Sequence, residues 1–402
     1  MKVVFWLNQF PAVSETFIRD QIIGILNNHI DVTIFTSYKN SDVSSIKGLV
    51  KYSLMQRTIK KDSILPRNWF LRLSRMLSIL IANLLTANSK FYLRSLNFLR
   101  FKRTSMNLRL FYQTHFILKE NPDVIHAHFG NNGMEAAYLK SIGLPFKLIT
   151  TFHGFDIRKG ISEDNSYYDL LIDQADSILS ISQYNRQNLM NFGFKHEQIL
   201  DLNNGIDIEF FKPSDKKDNS LDTIQIISVG RLTDEKAFDL AIKSIKNILK
   251  EFTEQEIHLT IIGEGPEYEE LNELIIRLHL NNNITLAGKK SSTEVRNMLQ
   301  KSDFFLLSSK AESLPTVILE AQACGLPIVS SNVGSILDIV KDGIHGYTAD
   351  PTVNDLTMAL SRMIESKQMW NEFGKNGRKY VEDNHDFERI TNKLIQIYKG
   401  DV

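Results

Sequence analysis

Two doubly wound α/β domains are the fold class that this sequence predicts. Three observations carry it: short β-branched or apolar runs alternate with helical patterns, that rhythm occurs twice, and a polar stretch from Pro213 through Asp222 divides the two series. The 402 residues suit two domains at roughly 100 to 200 residues each. With 43% hydrophobic and 23% charged residues the composition is globular, which excludes a mainly disordered or collagen-like chain.

In the first series the expected strands are residues 2–7, 31–36, 123–129, 147–152, 177–182 and 199–203. MKVVFWLNQF reads as the opening strand, because its apolar run before Asn8 is too short for a signal-peptide core. Pro11 and Ser14 signal the helix that follows, with Glu15 in its opening turn and Ile18, Ile22, Ile25 and Leu26 on one face.

Residues 51–110 hold 13 Lys or Arg and one acid, Asp62, in a chain whose formal net charge is zero. Within them Trp69, Leu73, Met76, Leu77, Leu80 and Leu84 recur at helical spacing, with Arg72 and Arg75 on the other side, which predicts a basic amphipathic helix. Either its apolar stripe packs on the protein's own core, or it docks onto an anionic membrane surface or a phosphate-bearing lipid. A nucleic-acid partner is disfavoured, since there is no zinc spacing, no RNP-like strand and no overall basic excess. The apolar run Met76 to Ala87 is 12 residues long with Asn83 inside it, short of the roughly 18 that span a bilayer. A lone cysteine, Cys324, forms no internal disulfide and reads as core, so a reducing, cytoplasmic compartment is expected.

The second series places strands at residues 224–230, 257–263, 283–287, 303–308 and 327–331. In sheets of this kind ligands lie outside the carboxyl ends of the strands, and two such domains facing one another make a cleft. Arg231 and Lys236 follow the first of these strands, and Glu264, Gly265 and Pro266 the second. Two cations at a sheet edge suit a diphosphate. The Gly263, Gly265 pair is followed by Tyr268 where a dinucleotide fingerprint needs a third glycine, and no Gly-x4-Gly-Lys-Ser/Thr loop exists. A nicotinamide dehydrogenase and a P-loop NTPase are therefore disfavoured.

The densest signal is residues 311–321, AESLPTVILEA. Pro315 fits a first helical turn, leaving free amides and the positive dipole end for a phosphate. Glu312 precedes that helix and Glu320 lies within it, so both carboxylates are able to face one ligand and accept from hydroxyl pairs. Two alternatives stay open, Glu320 as an ordinary paired helix residue and a glycosidase-style carboxylate pair. His126-x-His128 puts two imidazoles on one face of a strand end, a cleft wall or acceptor contact rather than a zinc site, for want of a third ligand.

Glu312-x7-Glu320 with Leu314-Pro315 between, Gly230-Arg231 and Lys236 before, and Gly325-x-Pro327-Ile328-Val329 and Gly334 after, resembles the retaining family 4 glycosyltransferases of GT-B fold. His153-Gly154-x-Asp156 and Asn204-Gly205-Ile206-Asp207 with Phe211 and Pro213 extend the resemblance. Phe10-Pro11-x-x-Ser14-Glu15-Thr16-Phe17-Ile18 looks like the subset that builds exopolysaccharide, capsule or colanic-acid-like repeat units. Ala237 stands where the family often has Gly after the Lys, and Asp338 where Glu is commoner.

The resemblance implies an acceptor-binding domain at 1–205, a donor-binding domain at 206–385, and a helix at 386–402 that crosses back to the N-terminal domain. It implies that Arg231 and Lys236 hold the donor diphosphate, Glu320 the ribose, and Glu312 the sugar hydroxyls. Leu314, Pro315 and Thr316 would add to the phosphate site, with Gly265 nearby, and Gly288 and Lys289 would lie by the nucleobase. His153 would sit beside the donor sugar. The implied reaction is retaining hexosyl transfer from a nucleotide sugar, a UDP-sugar first, to a lipid-linked oligosaccharide, with no metal and no cofactor. The protein is then expected to be peripheral on the inner face of the cell membrane, touching it through residues 51–110. A GT-B nucleotide-sugar epimerase and a non-catalytic GT-B scaffold are the alternatives.

Overall fold

A computed structural model describes residues 1–12, 15–40, 48–101, 103–163, 165–214 and 223–401. Ser14 and residues 215–222 of the expected linker lie outside the described residues. The chain divides into two compact units: Met1–Ile181, Asn185–Leu202 and Thr391–Val402 form the first, Ser182–Tyr184 and Asn203–Ile390 the second. The division falls between Leu202 and Asn203, and the helix Phe387–Lys399 begins in the second unit and ends in the first.

The first unit holds β1 (Lys2–Phe10), β2 (Asp31–Lys39), β3 (Thr58–Lys60), β4 (Val124–His128), β5 (Lys147–Phe152), β6 (Ser177–Ser180) and β7 (Ile199–Asp201). Their order is β3-β2-β1-β4-β5-β6-β7, with every pair parallel. The second holds β8 (Ile224–Val229), β9 (Ile257–Ile262), β10 (Ile284–Leu286), β11 (Phe304–Leu307), β12 (Ile328–Ser331) and β13 (Gly346–Ala349), in the order β10-β9-β8-β11-β12-β13, again all parallel. Strands with both faces covered need near-continuous apolar runs, and Val3 to Leu7 and Phe304 to Leu307 are accordingly buried throughout. Trp6, Phe35, Leu110, Phe116, Ile125 and Leu148 share one core of the first unit.

Two strands escaped the sequence reading. Only Thr58 of β3 is buried, and three residues are too few to show an alternation. β13 is Gly-Tyr-Thr-Ala, with no apolar run. Both lie at sheet edges, where one neighbour suffices.

In each sheet the winding reverses beside the first strand, between β1 and β4 and between β8 and β11. Those are the switch points at which strand ends splay and leave room for a ligand.

The basic helix runs Trp69–Asn83, capped by the Asn68 side chain, which accepts from the amides of Phe70 and Leu71. Its faces depart from the expected single stripe. Leu73, Met76 and Leu80 do pack inward, against Tyr92, Phe111 and Tyr112. Trp69, Leu77 and Leu84 point outward instead, together with Phe70, Ile81 and Leu85. The helix is apolar on more than one side, and a pattern search keeps only the longest stripe. No helix among the described residues is long and apolar enough to cross a membrane.

Candidate active site

In the second unit β8 ends at Gly230 and Arg231, and the chain then tightens into the 3-10 turn Asp234–Lys236. Ala237 follows with φ at +47° before the helix Phe238–Glu251. That left-handed residue explains the family's usual glycine, since a Cβ is disfavoured there. The Ser308 hydroxyl fixes the turn through the Lys236 and Ala237 carbonyls, at 3.1 and 2.9 Å.

The turn carries Lys236 across the switch point to β11, where its ammonium is paired with Glu312 Oε1. The Ser309 hydroxyl donates to the same oxygen at 2.7 Å. The Glu312 side chain is 8% exposed and that of Lys236 21%, so the pair is shielded, not dry. Arg231 is exposed beside it, with no counter-ion among the described residues.

Backbone bonds knit neighbouring loops into one rim. Gly230 N donates to Ile262 O (3.0 Å), Leu232 N to Glu264 O (3.0 Å), Gly263 N to Gly288 O (3.0 Å) and Lys310 N to Glu235 O (2.8 Å). Gly265 lies so close to the Leu232 backbone that a Cβ would stand 2.2 Å from its carbonyl oxygen. At the rim's far end Lys289 pairs with Glu264 at 2.9 Å, both exposed.

Pro315 is the N-cap of the helix Thr316–Ala323 and Leu314 the residue before it, so the first amides of that helix point out of the rim beside Glu312. Glu320 lies one turn further along, half-buried. Burial, and then the Glu320 carboxylate, pushes the Cys324 thiol up to about 12. Cys324 is thus an inert core residue, as its sequence context suggested.

His153 belongs to the first unit, at the end of β5. Asp156 accepts from the amides of His153 (2.9 Å) and Gly130 (2.9 Å), and Asn185 donates to the His153 carbonyl at 2.6 Å. The His153 ring stacks on His128 with centroids 5.3 Å apart, and its Nε2 lies 3.0 Å from His128 Nδ1. Phe17 and Phe129 flank it at 4.8 Å. Burial lowers the His153 pKa to about 3 and raises that of Asp156 to about 6.

His126 and His128 depart from the expected cleft wall or acceptor contact: both are fully buried. His126 spans the Tyr398 hydroxyl and the Thr151 hydroxyl, each at 2.7 Å. The inward pleat of β4 sets both rings under the sheet's carboxyl edge. Among the described residues no group of three or more His, Cys, Asp or Glu is placed to hold a metal.

The structure therefore gathers Arg231, Lys236, Gly265, Gly288, Lys289, Glu312, Leu314, Pro315, Thr316 and Glu320 on one rim of the second unit, and places His153 in the first. Sequence reasoning missed Ser309 and Asn185. The serine pair ending DFFLLSS at a strand's carboxyl end was a usable signal; Asn185, 32 residues from His153, had none.

Two parallel doubly wound units, one with paired cations and carboxylates around a helix start at its switch point, define a GT-B glycosyltransferase architecture. Residues 209–380 match the family model described as glycosyl transferases group 1, and residues 56–210 the one described as glycosyltransferase family 4. The chain is 30% identical over 98% of its length, and 98% of the relative's, to the putative colanic acid biosynthesis glycosyltransferase WcaL of Escherichia coli K12. It is 29% identical over 87% of each chain to the amylovoran biosynthesis glycosyltransferase AmsK of Erwinia amylovora. The chain belongs to the family 4 glycosyltransferases. Among solved structures, Anabaena HepE in complex with UDP superposes with a TM-score of 0.73 at 16% identity, covering all of both chains. Sucrose-phosphate synthase from Thermosynechococcus elongatus gives 0.74 at 17%, covering 100% of this chain and 98% of the other.

Proposed function

We propose that this protein transfers a hexose, with retention, from a UDP-sugar to a lipid-linked oligosaccharide during exopolysaccharide, capsule or lipopolysaccharide assembly at the inner face of the cell membrane. The observation that carries the reading is the Lys236–Glu312 pair beside Arg231 and the free end of the Thr316–Ala323 helix. The names of the relatives from Escherichia coli and Erwinia amylovora support the process, and the UDP held by HepE supports the donor's nucleotide.

Arg231, Lys236 and the amides about Leu314 to Thr316 take the donor diphosphate, with Gly265 allowing close backbone approach. Glu320 holds the ribose, Gly288 and Lys289 border the base, and Glu312 accepts from the sugar hydroxyls. His153, kept neutral by burial, is the hydrogen-bonding partner from the first unit. The bond from the anomeric carbon to the diphosphate breaks, a bond to the acceptor oxygen forms on the same face, and the acceptor's proton passes to the departing phosphate. Catalysis is then positioning and neutralisation of the leaving group. Two cations and a helix end supply that neutralisation, so neither metal nor cofactor is required.

The test is nucleotide release from a panel of UDP- and GDP-sugars with membrane lipid extract, with and without EDTA, beside Glu312→Ala. The expected result is EDTA-resistant release from one UDP-sugar that needs extract and Glu312. Interconversion of the donor without extract identifies an epimerase instead, and an absence of both release and donor binding identifies a scaffold.

A further inference from the structure

The first unit contains a second polar site that the transfer chemistry leaves unused. A cavity of about 560 Å³ is lined by Lys60, Asp62, Ser63, Leu65, Arg67, Arg72, Asn107 and Arg109, four cations against one acid. The sequence brings them together because β3 delivers Lys60, the capped helix start delivers Arg67 and Arg72, and the helix Arg109–Glu120 delivers Arg109.

Three of the four cations have no acid paired with them among the described residues. Arg72 Nε donates to Pro66 O at 2.9 Å and Nη1 to Asn107 O at 3.1 Å, and its guanidinium lies 5.6 Å from the Trp69 ring centre. All of these are uncharged partners. Arg109 is ion-paired with Asp62 at 3.6 Å and Glu135 at 3.8 Å, and Glu135 is shared with Lys61. Lys60 and Arg67 have no counter-ion among the described residues. Such an excess attracts a multiply charged anion.

Two neighbours of the cavity narrow the anion's class. On one side is the Trp69–Asn83 helix, whose Phe70 is 81% exposed and Ile81 72%, with Leu85 just beyond it at 99%. Phe70, Leu77, Ile81 and Leu85 recur at helical spacing, an apolar face with no packing partner among the described residues and with the exposed Arg67 just ahead of Phe70 in the chain, as suits a helix lying in a lipid interface. On the other side Arg109 also lines a cavity of about 320 Å³ with Asn131, Met134, Glu135, Tyr138 and Tyr167. Hydroxyls, an amide, a carboxylate and aromatic rings suit a sugar. That lining leads to the carboxyl edge of the sheet, where Asn131 Nδ2 donates to Asn8 Oδ1 at 3.2 Å. The Glu135 carboxylate is fixed there by Lys61 (2.6 Å), Trp6 Nε1 (2.8 Å) and Gln113 (2.8 Å).

Apolar face, cation cluster, sugar-compatible lining and strand ends follow one another in the order of lipid, diphosphate and sugar. We infer that Lys60, Arg67, Arg72 and Arg109 bind the diphosphate of a polyprenyl-linked acceptor while Phe70, Ile81 and Leu85 rest in the membrane surface. The inference rests on the lipid-linked acceptor of the proposed function and gives that acceptor its binding site.

Flotation of the full chain with phosphatidylcholine vesicles tests it, the vesicles carrying either polyprenyl diphosphate or phosphatidylglycerol at matched charge. The wild type is expected to prefer polyprenyl diphosphate by about tenfold or more, at the strength of a few cations near a surface. Lys60→Ser with Arg67→Ser should erase the preference, and these exposed side chains leave the fold untouched. Phe70→Ser with Leu85→Ser should weaken binding to both vesicles, and inorganic pyrophosphate should compete. Equal binding to the two vesicles, or a preference that survives the Lys60/Arg67 change, overturns the inference. Pyrophosphate binding as tight as lipid binding, with no effect of the Phe70/Leu85 change, assigns the cavity to a free diphosphate and overturns the lipid. UDP binding by calorimetry should stay unchanged in all variants. Selective vesicle binding without nucleotide release from any donor would sink the transferase reading and spare this one; release without selective binding would do the reverse.

Discussion

Gly334 lies directly against Glu312: with φ at +58°, a Cβ added to Gly334 would stand 1.7 Å from the Glu312 carbonyl oxygen. The backbone that presents the Glu312 carboxylate to Lys236 therefore rests on a position that only glycine fills. Gly334→Ala must move the loop or distort the backbone. The expected result is a folded protein that has lost at least about tenfold in transfer rate, the effect of an ångström-scale misplacement. Nucleotide release and thermal melting of the same sample check it, and wild-type activity would show that the Glu312 loop position is not critical.

Lys236 and Glu312 should be unequal when removed. Lys236→Met leaves a carboxylate that is 8% exposed with the Ser309 hydroxyl as its remaining partner, whereas Glu312→Gln leaves a more exposed ammonium able to reach water. Lys236→Met should cost about 2 kcal/mol, Glu312→Gln less, and the double variant less than their sum. Urea unfolding of the four proteins makes the comparison, and strict additivity would deny the coupling.

Ala237 carries backbone strain. An alanine in the left-handed region costs about 1 kcal/mol or more relative to glycine, offset in part by the greater freedom that glycine brings to the unfolded chain. Ala237→Gly should leave stability unchanged or raise it by up to about 1 kcal/mol. Ala237→Val should lower it, since a β-branched side chain fits that region worse still. A destabilised glycine variant in the same urea series would refute the account.

Burial depresses the pKa of His126 and His153 to about 3 and of His385 to about 4, and His128 shifts the same way. These groups stay neutral in the fold and take up protons on unfolding below their ordinary value of 6.5. Their contribution is thus complete above pH 6.5 and is lost as pH falls toward 3. Asp156 acts oppositely, because burial raises its pKa from 3.8 to about 6, so its contribution declines as pH rises across that interval. Four histidines outweigh one aspartate. Stability should fall steeply below pH 6.5, by about 1.4 kcal/mol per pH unit for each net proton taken up. Urea midpoints at pH 7, 6 and 5 read this directly, and a flat profile would contradict it.

The central strands were legible because a parallel sheet buried on both faces demands the apolar runs that β1, β8 and β11 show. The rim of the second unit was legible because Arg231, Lys236, Glu312 and Pro315 each lie in a segment that follows a strand end. What stayed hidden was long-range or two-sided. Nothing local marks Asn185 as the partner of the His153 carbonyl, and the three residues of β3 are too few to show an alternation. The two apolar sides of the Trp69–Asn83 helix collapse into one stripe when only spacing is read. His126 and His128 announced polarity but not depth, because a histidine under a sheet and one at its edge share the same sequence.

The Tyr398 hydroxyl that meets His126 belongs to the helix Phe387–Lys399, which begins in the second unit and ends in the first. Leu394, Ile397 and Tyr398 are buried there. During synthesis the strands of the first sheet emerge early, yet that unit has to wait until the second has been made before the helix Phe387–Lys399 arrives. Until then His126 lacks its phenol, and the apolar seat of that helix stays wet. The ribosome thus completes the first unit only after it has made the second, and loss of residues 391–401 would injure the half of the protein begun first.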